Sequence, residues 1–196
     1  MHLDRGCQRA LPAPRRRGRS NRRCPHHTTW INAQSDLWRA GIAWGVLDLS
    51  GPYRKTFTDA LGHATQVADP FHVVKLANSK LDECRRRVQQ DTLGHRGRKS
   101  DPLYRSRRLL TRADERLDEA GRAKLVGLLE AGDPRGEVRL AWHAKETIRS
   151  VYTIDDPTQA DAFAAELADD MTDPDHPPEV RSLGKTLRRW HDQIVA

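Results

Sequence analysis

The chain has 196 residues, 37% of them apolar and 31% charged, with a net charge of +7. Its mean hydropathy is −0.79, no apolar run approaches the ~18–20 residues of a membrane-spanning helix, and no apolar signal-peptide core opens the sequence. These features exclude a helical membrane protein and lead us to expect a helical, heavily solvated cytoplasmic protein with room for one domain, or for a small domain and an appendage.

The positive charge is concentrated at one end. Residues 1–30 hold eight Arg against one acid, Asp4, whereas the rest of the chain balances, with 26 basic and 26 acidic residues. The basic pI is therefore a property of one segment and does not by itself make the folded body a nucleic-acid binder. That segment, RALPAPRRRGRSNRRCPHHTT, is rich in Arg and Pro and nearly free of apolar periodicity, so residues 1–29 are expected to form a disordered tail able to touch DNA phosphates non-specifically. Cys7, Cys24, His26 and His27 lack the paired CxxC spacing of a zinc knuckle, and three irregularly spaced cysteines fit reduced thiols.

From Trp30 the character changes. Residues 41–49 read as a buried strand, 52–61 as a short helix carrying Tyr53, Phe57 and Leu61 on one face, and 64–68 as a second short strand ending on Asp69. Strand, helix and strand in under thirty residues imply a parallel or mixed sheet whose two following loops open at the same edge. Asp48 closes the first strand and runs at once into a Ser-Gly-Pro turn. Asp is depleted from strand interiors and a buried unpaired carboxylate is costly, so Asp48 is either a cap or a site.

After Asp69 the pattern is helical. Asp69-Pro70 is a helix start, since Asp accepts the free amides of the first turn and Pro at the first position forfeits no hydrogen bond; the same signal recurs at Asp133-Pro134 and Asp156-Pro157. Val74, Ala77, Leu81, Cys84 and Val88 form the stripe of a long helix, off which Lys75, Lys80 and Arg85 to Arg87 largely lie, with Asp82 and Glu83 placed to pair with Arg86 and Arg87. Gly94 to Lys99 is a basic loop, either a solvent-exposed connector or a phosphate contact. Further helices are expected around 104–112, 115–130, 135–152, 157–171 and 178–196, the last with Val180, Leu183, Leu187, Trp190 and Ile194 on one stripe.

The stretches WGVLDLSGPYRKTF, QVADPFHVVKLANSKLDECRRRVQ, LGHRGRKSDPLYRSRRLL and AWHAKE resemble the central part of bacterial insertion-sequence transposases of the DDE type, in the ISL-three group. The resemblance implies an α/β fragment: part of a ribonuclease H-like sheet over 30–72 followed by an all-α insertion domain over 73–196. It also implies cleavage and strand transfer of DNA at transposon ends by two Mg2+ ions, which need oxygen ligands from several chain segments.

By this resemblance Asp48 is the second of three catalytic, metal-ligating carboxylates, and Asp69 and His72 match an Asp-x-x-His mark that supports the active-site edge. Arg54, Lys55, Lys75, Arg96, Arg98 and Lys99 are the candidate DNA contacts. The first carboxylate has no counterpart in residues 1–40, and the third would lie past Ala196. The expectation is thus a truncated transposase, inactive as this chain alone, with DNA and a second copy or an intact transposase as partners. The alternative is a non-enzymatic DNA-binding helical protein acting as a repressor or partner of an intact transposase.

Overall fold

A computed structural model describes residues 25–196. These residues are mostly helical and carry one small parallel sheet. Helices α1 (Pro25–Asn32) and α2 (Asp36–Ala40) precede strand β1 (Trp44–Leu47), helix α3 (Gly51–Ala60) and strand β2 (Thr65–Ala68). Helix α1 starts inside the segment expected to be a tail, and its contacts with α3 explain why that part is ordered. Cys7 and Cys24 lie outside the described residues; Cys84 is a free, buried thiol.

The strands pair in parallel, Trp44 opposite Thr65 and Leu47 opposite Ala68, as the strand-helix-strand spacing requires. They are shorter than expected, and β1 is buried on one face alone: Gly45 and Leu47 point inward, while Trp44 and Val46 are exposed. Gly45 has a packing reason. A Cβ there would lie 2.2 Å from Cε1 of Phe57, so the missing side chain lets the α3 ring rest on the strand.

Beyond the sheet run α4 (Pro70–Leu93), α5 (Pro102–Leu110), a 3-10 turn (Asp114–Arg116), α6 (Glu119–Gly132), α7 (Glu137–Val151), α8 (Pro157–Asp170), α9 (Pro178–Arg189) and α10 (His191–Ile194). The stripe of α4 is Val73, Ala77, Leu81, Cys84 and Val88, with Val73 rather than Val74 fully buried. It packs on α7 and α9, and α8 lies against α9. The main core joins these helices to Leu47 and Ala68, while Ile31, Leu61 and Ala64 form a satellite cluster under α1 and α3; Phe57 touches both.

Three local readings need correction. Asp133 does not start a helix: it ends α6, and its buried carboxylate accepts the Arg139 amide at 2.9 Å, because Gly136 in the left-handed region (φ 71°) delays α7 to Glu137. The last helix breaks at Trp190, although the expected stripe from Val180 to Ile194 is buried throughout. Arg87 does not pair with Glu83, which takes Lys80 at 2.8 Å. Arg87 instead reaches Glu137 on α7 at 2.6 Å and Glu179 on α9 at 2.8 Å, tying three helices together.

Candidate active-site edge and basic surface

Parallel pairing sets the geometry of the edge. Since Leu47 lies opposite Ala68, the next residues, Asp48 and Asp69, leave adjacent strand ends on the same side, and the Asp69 amide donates to the Leu47 carbonyl at 2.8 Å. Asp48 is exposed. The turn after it is made by Leu49 at φ 54°, a left-handed conformation that costs a residue with a Cβ about 1 kcal/mol. Leu49 packs against the main core, which holds that turn in place and leaves Asp48 outside it.

Asp69 has two tasks. Its Oδ1 accepts the Phe71 amide at 2.9 Å as the N-cap of α4, and its Oδ2 accepts from Nδ1 of His72 at 2.9 Å. The hydrogen bond from His72, followed by that from the Phe71 amide, holds the Asp69 carboxyl below its ordinary 3.8. The pair is thus a pre-set anionic edge with its imidazole fixed in orientation, which suits support of a neighbouring group better than free ligation.

Beside this edge opens a cleft of about 530 Å³ between the start of α4, the turn after α5 and the end of α7, lined by Phe71, Asn78, Arg116 and Tyr152 among others. Burial, and then the charge of Asp69, push the Tyr152 phenol up to about 12. Lys145 is buried at the back of the cleft. Its Nζ donates to the carbonyls of Leu110 at 2.8 Å and Arg112 at 2.7 Å and pairs with Glu146. Burial lowers its pKa against the pull of Glu146. Its role is to satisfy carbonyls left open at the end of α5.

The described residues contain no group of three His, Cys, Asp or Glu able to hold a metal ion. Asp48 and Asp69 therefore do not fit a complete Mg2+ site by themselves. None of the described helices is long and apolar enough to cross a membrane.

The six expected DNA contacts divide into two groups. Arg54 donates to the Arg189 carbonyl at 2.8 Å and sits 5.2 Å from the Trp190 ring centre, strapping α3 to the end of α9. Lys55 pairs with Asp59 at 2.8 Å, and the Lys75 ammonium lies 5.9 Å from the Phe71 ring centre. Arg96, Arg98 and Lys99 are exposed, with no acidic partner for any of their side chains among the described residues.

Their loop is built rather than loose. Gly94 (φ 70°) caps α4, and Gly97 (φ 114°) leaves no room for a Cβ against the Gln89 amide. The Asp101 carboxylate accepts from the Arg98 amide and from Gln89.

A family model described as transposase, of the DDE type and the ISL-three group, matches residues 18–196. The chain belongs to this transposase family. No curated protein and no solved structure matches it. Outside the expected contacts, Arg105, Arg108 and Arg112 are exposed on or just after α5, without acidic partners among the described residues. Their spacing of three and four, opposite the apolar positions Leu103 and Leu110, was a signal available from the sequence.

Proposed function

We propose that the chain acts in DNA transposition through a ribonuclease H-like edge in which Asp48 is one carboxylate of a two-metal site and Asp69 with His72 supports it. The observation that carries this reading is the parallel register, which brings Asp48 and Asp69 out at one edge within a chain of the transposase family. Mg2+, held by Asp48 together with carboxylates from outside the described residues, would supply charge stabilisation at the phosphodiester. What this chain's own residues do is narrower. Asp48 offers an exposed carboxylate on a rigid turn, and Asp69 fixes the His72 ring and starts α4. The 96–99 turn and α5 carry exposed basic side chains with no acidic partner among the described residues, suited to DNA phosphates.

A second reading has an observation of its own. With no three-ligand cluster among the described residues, the chain alone binds DNA without cutting it and acts by joining or competing with an intact transposase. A gel shift on DNA bearing the element's inverted repeats, run over a salt series with the whole chain and with residues 1–24 removed, tests the DNA-binding part shared by both. Retained, salt-dependent binding after removal is expected. Binding that vanishes with the Arg tail would assign it to the tail and refute a DNA-binding body.

A further inference from the structure

Helix α5 has two faces. Leu103, Ser106 and Leu110 are buried, and at 100° per residue Arg105 and Arg108 fall 60° apart on the opposite side, with Arg112 two residues past the helix end; all three are exposed and none has an acidic partner among the described residues. Arg98 and Lys99 precede the helix, with the Arg98 backbone amide held by Asp101. At the other end the Arg112 carbonyl is fixed by Lys145, and Arg116 lines the cleft whose facing wall is Pro70 and Phe71, directly after Asp69.

We propose that this outer face of α5, with the Arg96–Lys99 turn before it and Arg116 after it, is a track for the backbone of duplex DNA that leads toward the Asp48–Asp69 edge. The proposal rests on the transposition reading above.

Three features favour a duplex read by its phosphates. The only aromatic ring on α5, Tyr104, is covered by the Arg107 guanidinium at 3.9 Å, so it offers no platform for stacking unpaired bases. The apolar face of the helix is buried in the core rather than beside the arginines, so the helix cannot lie in a membrane interface. The exposed cations on this face are mostly Arg, able to grip phosphate bidentately. Arg54 and Lys55, already held by Arg189, Trp190 and Asp59, are not part of the track. Contacts of this kind fix position and are indifferent to base sequence.

The test is a binding isotherm of the full chain on 30-base-pair duplexes of two unrelated sequences and on single strands, over a salt series. It compares the wild type with a triple variant Arg105→Gln, Arg108→Gln, Arg112→Gln and with a charge-matched control, Lys124→Gln, Lys185→Gln, Arg189→Gln. None of the three track side chains bonds to another of the described residues, so an unchanged circular dichroism melt is expected.

Duplex affinity of the track variant should fall about tenfold or more on both sequences, and its log-log salt slope should become shallower by about 2 to 3, at ~0.9 for each phosphate no longer neutralised. The control should stay close to wild type. An unchanged slope, an equal loss in the control, or a loss confined to single strands would each overturn the track while leaving the transposition reading in place. A wild-type chain that binds no DNA would overturn both.

Discussion

Arg87 on α4 grips Glu179 on α9 with two hydrogen bonds, Nε to Oε1 at 2.8 Å and Nη2 to Oε2 at 2.9 Å, across 92 residues of sequence. The same guanidinium reaches Glu137 on α7 at 2.6 Å. This planar fork closes the helical body at the point where three helices meet.

Glu179→Gln should therefore lower stability by about 1–2 kcal/mol in urea unfolding, since it weakens a partly screened charge-assisted pair and leaves Arg87 with Glu137. Burial opposes the charged form of Glu179, but the hydrogen bond and charge of Arg87 outweigh it and the carboxyl titrates below its ordinary 4.5. A depressed carboxyl stabilises the fold above its unfolded value and loses that contribution as pH falls through its folded value. The variant should accordingly show a smaller loss of stability than the wild type as pH falls below the ordinary 4.5.

Cys84 lies beside this network, fully buried on the α4 stripe. Burial first, with Glu179 adding to it, pushes its thiol up to about 12. In a Cys7→Ser, Cys24→Ser background, Cys84 should resist iodoacetamide at pH 8 in the folded protein and react once urea unfolds it. Fast labelling of the folded chain would mean that α4, α7 and α9 open readily.

Gly45 under Phe57 gives a prediction for the sheet. Gly45→Ala forces the ring away from β1 and should cost about 1–3 kcal/mol, and Phe57→Leu in the same chain should recover part of it. Hydrogen exchange across 44–47 and 65–68 is the readout, because a two-stranded sheet with Trp44 and Val46 exposed should be less protected than α7 even in the wild type.

The features legible in the sequence were those decided locally. The β1–α3–β2 spacing, the Asp69 cap, the stripe of α4 and the stripe from Val180 to Ile194 all rest on residues within a few turns of one another. What failed depended on distant partners or on a single backbone angle. Arg87 chose acids 50 and 92 residues away, and Asp133 turned inward to the Arg139 amide because Gly136 postponed the next helix. Helices α1 and α2 carry exposed Trp30, Leu37 and Trp38, so no buried stripe announces them. At the candidate site, the joint exit of Asp48 and Asp69 followed from the parallel register, whereas the left-handed Leu49 left no trace in residue type. The exposed spacing of Arg105 and Arg108 is legible in the sequence but stands beside the denser basic run at 94–99.

Asp48 should behave as a carboxylate without its metal partners. Asp48→Ala should leave the melting temperature of the chain nearly unchanged, and millimolar Mg2+ should not raise that of the wild type, because stabilisation by a ligand grows with its occupancy and no three-ligand group lies among the described residues. A clear rise with Mg2+ that Asp48→Ala removes would point to a site the chain assembles with another copy.

The most direct test is nicking of a supercoiled plasmid carrying the element's two ends, by the chain alone with Mg2+. A shifted protein–DNA complex and no nicked product are expected from both the wild type and Asp48→Ala. Nicking by the wild type that Asp48→Ala abolishes would show that this chain completes a two-metal site, and would contradict the claim that its edge supplies only part of one.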